Sequence, residues 1–262
     1  MSSFTISDTD LNDIRGQVVV ITDASSGIGL ATLRLILHHG GKVFASDLNP
    51  LPPYLTSTSF FATNVTSWLS QVALFRAAEK RYGHIDHVFA NAGSRPSCSL
   101  LEEDLDENSD LQTPDPATYD VNLVGVMYAV KVGLWYLNKN PRSGSPLSIP
   151  PSNIQTRPPR PPSRPTLPAL PSPLRINAIA PSWTDTGILT PDVLAALGRG
   201  NYQSADAVAR SVVVLMADQM RRGKMVYSER GRFMDLEDGE RGVSWVVRGV
   251  VDEGRKEGEL EG

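Results

Sequence analysis

Along the first fifty residues the apolar positions change period twice. Gln17-Val18-Val19-Val20-Ile21-Thr22 is a short β-branched run between polar neighbours, the pattern of a buried strand. From Gly29 to Leu37 apolar residues recur at helical spacing, and after the Gly40-Gly41 break Lys42-Val43-Phe44-Ala45-Ser46-Asp47 reads as a second strand. Strand, helix and strand within about 30 residues make a βαβ unit, which predicts a parallel sheet. The alternation continues with a helix over 67–82, a buried strand over 85–91 and a long apolar helix over 119–137. A strand over 174–180, a helix over 205–220 and a last strand over 225–227 follow. The pattern predicts a doubly wound α/β sheet in one domain.

One interval departs from this rhythm. Residues 141–173 hold 12 of the chain's 20 prolines and no apolar period. Proline removes the backbone donor that a ladder or a helical turn requires, at about 3 kcal/mol each in a helix interior. The interval therefore predicts extended, solvated chain, with neither a central strand nor a helix.

Composition narrows the partners. The 262 residues are 40% hydrophobic and 21% charged, enough for one α/β core. A net charge of −4 offers no basic patch, so neither nucleic acid nor an anionic membrane surface is an expected partner; small molecules are. Cys98 has no second cysteine to pair with, and the opening residues lack the apolar core of a leader, so a reducing, cytoplasmic location is expected. No run approaches the 18 or so apolar residues of a membrane span. His38, His39, His84 and His87 lack metal-ligand spacing and read as surface or helix-end residues, with no metal expected. The acidic run from Glu102 to Asp110 reads as a solvated loop.

The chemistry lies at the first turn. Thr22-Asp23-Ala24-Ser25-Ser26-Gly27-Ile28-Gly29 follows a strand and opens a helix, where glycines let the backbone approach a diphosphate and free N–H groups face the anion. An ordinary helix cap bearing glycine is the competing interpretation. Asp47, 20 residues past Gly27 at the end of the second strand, favours a dinucleotide site, because an acid there can accept from both ribose hydroxyls. Leu48, Asn49 and Pro50 follow it, with no arginine for a 2′-phosphate, so NAD is favoured over NADP.

This turn resembles the Thr-Gly-x-x-x-Gly-x-Gly of the short-chain dehydrogenase/reductase family, with Asp23 in place of the first glycine. Asn91-Ala92-Gly93 is similar to the family's Asn-Ala-Gly after the fourth strand, and Val121-Asn122-Leu123 to the segment carrying its helix asparagine. Arg175-Ile176-Asn177-Ala178-Ile179-Ala180-Pro181 resembles its Arg-Val-Asn-x-Ile-x-Pro-Gly strand, with Ser182 for the glycine. The wording around Phe89 to Gly93 and Ala180 to Thr184 looks most like fungal members related to 15-hydroxyprostaglandin dehydrogenase. The resemblance implies a Rossmann-type fold and hydride transfer between NAD(P) and a secondary alcohol or ketone, in the setting of secondary metabolism. It implies Asn122 as a catalytic-set residue and Gly27, Ile28, Gly29, Asp47, Asn64, Asn91, Gly93, Lys131, Thr184 and Thr186 as cofactor-binding. Trp183, Ile188 and Leu189 fall where the family has its substrate lid, and either line an apolar pocket or pack onto the core. A non-catalytic partner protein of this family would use the 119–137 helix for self-association.

Family members also draw a central strand from the interval that 141–173 occupies here, so the resemblance implies a gap between the fourth and sixth strands, with strand edges and an apolar helix face uncovered. The family's acid–base pair is missing. A tyrosine, its pKa lowered by a lysine four residues later, exchanges the carbinol proton in family members. Here no tyrosine occurs from 137 to 201 and no lysine from 140 to 223. Ser143, Ser145 and Ser148 read as linker serines. The domain plan is thus an N-terminal extension (1–15), a dinucleotide-binding half (16–140), a Pro-rich insert (141–173), the second part of the same domain with its lid (174–251) and a charged, fraying tail (252–262). The abrupt change of text at 141–173 also has the form of a reading-frame or splicing error. A non-catalytic NAD-binding or dimer-partner protein is the alternative function.

Overall fold

A computed structural model describes residues 2–95, 105–113, 115–140, 146–149 and 174–237. Strand β1 (Ser2–Phe4) and a 3-10 helix (Thr9–Ile14) precede β2 (Val18–Thr22), α1 (Gly27–His38) and β3 (Lys42–Asp47). Then come β4 (Ser59–Ala62), α2 (Trp68–Tyr82) and β5 (His87–Phe89). The short α3 (Ala117–Tyr119) runs through a π turn (Asp120–Gly125) into α4 (Val126–Lys139), followed by β6 (Pro146–Ile149) and β7 (Arg175–Pro181). The rest is β8 (Thr184–Asp185), α5 (Pro191–Leu197), β9 (Gln203–Ser204), α6 (Ala205–Ala217), β10 (Met225–Glu229) and β11 (Arg232–Asp235).

Among the described residues nine strands form one sheet in the order β1-β11-β10-β7-β6-β5-β2-β3-β4. From β10 to β4 every pairing is parallel, so each connection must cross a face of the sheet and both faces become covered. Successive residues of β2 accordingly serve opposite cores. Val19 and Ile21 pack with Leu11, Ile14, Leu33, Ile36, Val212 and Leu215, from the 3-10 helix, α1 and α6. Val20 faces the other way, with Leu74, Phe75, Val132 and Tyr136 from α2 and α4. This is the expected Rossmann-type doubly wound sheet.

Four expectations need correction. The sheet has no gap: β6 lies between β5 and β7, pairing Val88 with Leu147 and Ser148 with Asn177. Proline density over the whole interval hides a short stretch able to pair. Within β6 only the first position is proline, where a ladder bond is dispensable. Second, 225–227 is not the last strand. Arg230 and Gly231 both take positive φ (49° and 76°), the pattern of a type I′ turn, and return the chain as β11. Arginine is not a usual residue of such turns, so the hairpin left no sequence signal. Third, the N-terminal extension is part of the sheet, with β1 antiparallel to β11 and Leu11 and Ile14 fully buried.

The fourth concerns histidine. His87 is buried at the start of β5, neither at the surface nor at a helix end, whereas buried His39 caps the end of α1 as a helix-end residue. His87 Nε2 bonds Gln17 Oε1 while Nδ1 is buried without a partner. Burial, helped by the Arg175 charge, pushes its pKa down to about 3, so the ring stays neutral. Between Glu102 and Asp110 the described part, 105–110, is exposed, in keeping with the solvated loop. The 252–262 tail and the remainder of 141–173 lie outside the described residues.

Candidate functional site

The site is built where β2 stops and α1 begins. Asp23 adopts φ 55°, the left-handed region that favours glycine and that aspartate tolerates better than most residues. Gly29 is required by space. A Cβ there would sit 1.9 Å from the Asp23 carbonyl oxygen and 2.7 Å from Asn91 Nδ2. The first bond of α1 runs from Leu30 N–H to the Ser26 carbonyl (2.9 Å), which leaves the N–H groups of Gly27, Ile28 and Gly29 ahead of the helical ladder. Such donors, with the positive end of the helix dipole, suit a diphosphate. Thr186 packs over the same turn, 3.3 Å from where a Gly27 Cβ would stand.

Asp47 borders the turn from the next strand. It ends β3, is 7% exposed, and accepts from Ser25 N–H through Oδ2 (3.0 Å) and from Asn49 N–H through Oδ1 (2.9 Å). The Ser25 hydroxyl donates to the Asn49 carbonyl (2.7 Å), so the first turn and the end of β3 are laced together. Half-buried Asp23 lies against this carboxylate. Burial, then the Asp47 charge and a hydrogen bond with Asp47, push its carboxyl up to about 7, against a smaller opposing contact with the Ser26 hydroxyl. In the sequence Asp23 stands out only as the residue in place of the family's first glycine; its pairing with Asp47 leaves no sequence signal.

Two asparagines hold the neighbouring loops. Asn91 Nδ2 donates to the Asp23 carbonyl (3.1 Å), and the N–H groups of Asn91 and Ala92 both donate to Thr22 Oγ1 (3.0 and 3.1 Å). Thr22 is therefore a residue of the site that sequence reasoning passed over, although it stands in the quoted motif. Asn122 makes a reciprocal pair with the residue just past Gly93: Ser94 N–H donates to Oδ1 and Nδ2 donates to the Ser94 carbonyl, both at 2.8 Å. It sits in the π turn, not in the regular helix expected there. Buried Gln71 of α2 donates to the Gly125 carbonyl at the end of that turn (2.7 Å) and to the Val65 carbonyl (2.6 Å), a connection with no sequence signal.

The remaining residues are more dispersed. Asn64 is exposed beyond β4, where its Oδ1 accepts from the Thr66 N–H and hydroxyl in an Asx turn (3.0 and 2.9 Å). The preceding Thr63 N–H bonds the Asp47 carbonyl (2.9 Å), which keeps this turn beside β3. Thr184 is buried and donates to the Ser182 carbonyl (2.7 Å), while Thr186 Oγ1 accepts from Ile188 N–H (3.4 Å). Trp183 and Ile188 are exposed and Leu189 is half-buried. Lys131 is exposed on α4 and is not brought to the glycine turn by any hydrogen bond or ion pair among the described residues. The described tyrosines of α4 are packing groups: Tyr128 meets Trp68, and Tyr136 stacks on Phe75. Among the described residues no cluster of three or more His, Cys, Asp or Glu could hold a metal ion.

These features fit a nicotinamide dinucleotide, with outward backbone donors for its diphosphate and a fixed carboxylate one strand away for its ribose. Comparison with known proteins agrees. Residues 17–148 match the family model described as short chain dehydrogenase. Short-chain dehydrogenase/reductase ascJ of Acremonium egyptiacum is 38% identical over 257 residues, covering 91% of this chain and 86% of the relative. The chain belongs to the short-chain dehydrogenase/reductase family.

A second relative, 5'-hydroxyaverantin dehydrogenase of Dothistroma septosporum, is 29% identical over 154 residues, which is 52% of this chain and 50% of that one. Among solved structures, 3-ketoacyl-(acyl-carrier-protein) reductase of Brucella melitensis, complexed with NADH, superposes with a TM-score of 0.63 at 19% identity, over 83% of this chain and 98% of the other. That likeness supports the fold alone. As a short-chain dehydrogenase/reductase the chain is an oxidoreductase by family, and no helix among the described residues is long and apolar enough to cross a membrane.

Proposed function

We propose that this chain binds NAD in the β2–α1 turn and is, by lineage, a cytoplasmic oxidoreductase of secondary metabolism acting on a secondary alcohol or ketone. The observation that carries the reading is Asp47, pinned by the Ser25 and Asn49 amides with its carboxylate beside the glycine turn. Gly27, Ile28 and Gly29 would hold the diphosphate, Asp47 the ribose and Asn64 the adenine side. Asn91 and Gly93 would support the turn, and Thr184 and Thr186 the nicotinamide side. Lys131 belongs to this set only through the family resemblance. A 2′-phosphate would meet Asp47 and Asp23 with no arginine immediately after Asp47, which favours NAD over NADP.

When bound, the nicotinamide supplies a hydride donor or acceptor. The protein must then exchange the substrate's hydroxyl proton. Asn122 fixes the loop at Ser94 and acts as a positioning residue. Without the Tyr-x-x-x-Lys pair the acid–base step loses on the order of 10² to 10⁴ in rate. The secondary-metabolism setting is supported by the fungal relatives, and a secondary alcohol by the likeness of the 89–93 and 180–184 segments to members related to 15-hydroxyprostaglandin dehydrogenase.

NADH fluorescence titration, followed by turnover on a panel of secondary alcohols and ketones, tests the reading. Binding with slow turnover supports it, and absence of binding at millimolar NADH removes it. A second reading, a non-catalytic NAD-binding or homo-oligomeric partner, is favoured by the missing pair and by exposed Tyr119, Met127 and Trp135 along α3 and α4. Binding with no turnover would select it. Transcript sequencing across 141–173 tests the reading-frame explanation, which a message encoding the same segment would refute.

A further inference from the structure

The feature left unused by the family's chemistry is the aspartate that replaces its first turn glycine. Asp47 cannot swing away from Asp23, because both of its oxygens are held by backbone N–H groups. Nor can Asp23 retreat. Its carbonyl is wedged against Gly29 and receives Asn91 Nδ2, which fixes the left-handed backbone that aims the side chain. The groups facing the Asp23 carboxyl are the Asp47 carboxylate from β3 and the Ser26 hydroxyl at the start of α1, and no cation is among those acting on it. Past β5 its neighbour is the neutral Asn91 amide, and over the turn lies neutral Thr186.

Into this arrangement a dinucleotide brings two diphosphate charges. We propose that Asp23 is a proton-bearing determinant of dinucleotide binding: holding its proton, it lets the ribose and diphosphate settle beside Asp47, and on ionising it weakens their hold. The inference rests on the NAD reading above and adds its regulation. Because Asp23 titrates near 7 before the cofactor arrives, and added negative charge raises it further, binding takes up a proton at and above neutral pH. Affinity is then highest below pH 7 and falls above it by at most about tenfold per pH unit, the limit for one linked proton.

The test is NADH fluorescence titration of the full chain from pH 6 to 8.5, with calorimetry in phosphate and in Tris to count protons, on wild type, Asp23→Asn and Asp23→Gly. Asparagine and glycine both accept the left-handed backbone, so the two variants guard against a folding artefact. Wild-type dissociation constants should rise roughly tenfold or more across this range with net proton uptake, and both variants should stay flat and bind more tightly than wild type at pH 8.5. A pH-independent wild type, or variants that keep its slope, overturns the proposal while leaving the cofactor reading intact. Failure of all three chains to bind NADH at any pH overturns both.

Discussion

The two halves of this sheet differ in how function is carried. From β2 to β5 the same residues serve structure and the proposed chemistry: only glycine fits at 29, because a Cβ there would sit 1.9 Å from the Asp23 carbonyl oxygen, and Asp47, proposed to hold the ribose, also ties the turn. From β6 to β10 the strands pair as well, and Arg175 reaches from β7 to the Met216 and Asp218 carbonyls at the end of α6. Yet that half lacks the tyrosine and lysine which the family places between α4 and β7. A sheet can therefore keep its order without the family's Tyr-x-x-x-Lys pair, because strand pairing asks for backbone groups and proton transfer asks for particular side chains.

The strongest way to break this contrast is a chimera. Replacing 141–173 with the corresponding segment of a family member that bears Tyr-x-x-x-Lys should raise turnover about 10² to 10⁴-fold with NADH affinity little changed, measured by steady-state kinetics and fluorescence titration. An unchanged rate would mean that the deficit lies elsewhere. In the first half, Gly29→Ala forces a methyl group onto the Asp23 carbonyl and should cost about 2–4 kcal/mol in denaturant unfolding, together with NADH binding. A variant that binds normally would show that the turn has room the geometry denies it.

Protonation gives effects of intermediate size. His87 has a depressed folded pKa of about 3, so the unfolded chain takes up its proton first as pH falls. Its contribution is full above about pH 6.5 and is lost towards pH 3, amounting to about 2 kcal/mol by pH 5, and His87→Gln should flatten that part of the profile. Asp23 has the opposite sign. Its carboxyl is raised to about 7, so the folded state holds the proton more tightly and wild type loses stability relative to Asp23→Asn as pH rises from about 4 to 7. Unfolding curves at pH 5 and 8 on the variants separate the two.

The smallest test compares the halves directly. Ser67 caps α2 by accepting from Ser70 N–H, and Ser204 caps α6 by accepting from Ala207 N–H. Alanine at either should cost about 1 kcal/mol. Equal losses in thermal unfolding would mean that both halves belong to one cooperative unit; a smaller loss at Ser204 would mark the second half as the looser.

Much of this was legible from residue pattern alone. β3 spans Lys42–Asp47 as its run of apolar and β-branched residues implied, and α2 starts at Trp68 with Ser67 as its cap. In the site, the glycine turn and Asp47 could be read because glycine and a distant acid leave a fixed spacing. What could not be read depends on contacts made through space. Neither the Gln71 bridge to Gly125, nor the widened turn at Asn122, nor the burial of His87 changes any periodicity. β6 escaped because a strand of four residues is too short to stand out against the prolines around it.

The outer edge of the sheet carries a consequence for how the molecule is made. Ser2 pairs with Asp235, so β1 finds its partner only after nearly all the described chain has emerged. Closing that edge is a late event by necessity, and any fusion placed ahead of Ser2 should retard completion of the native state more than one attached far from it.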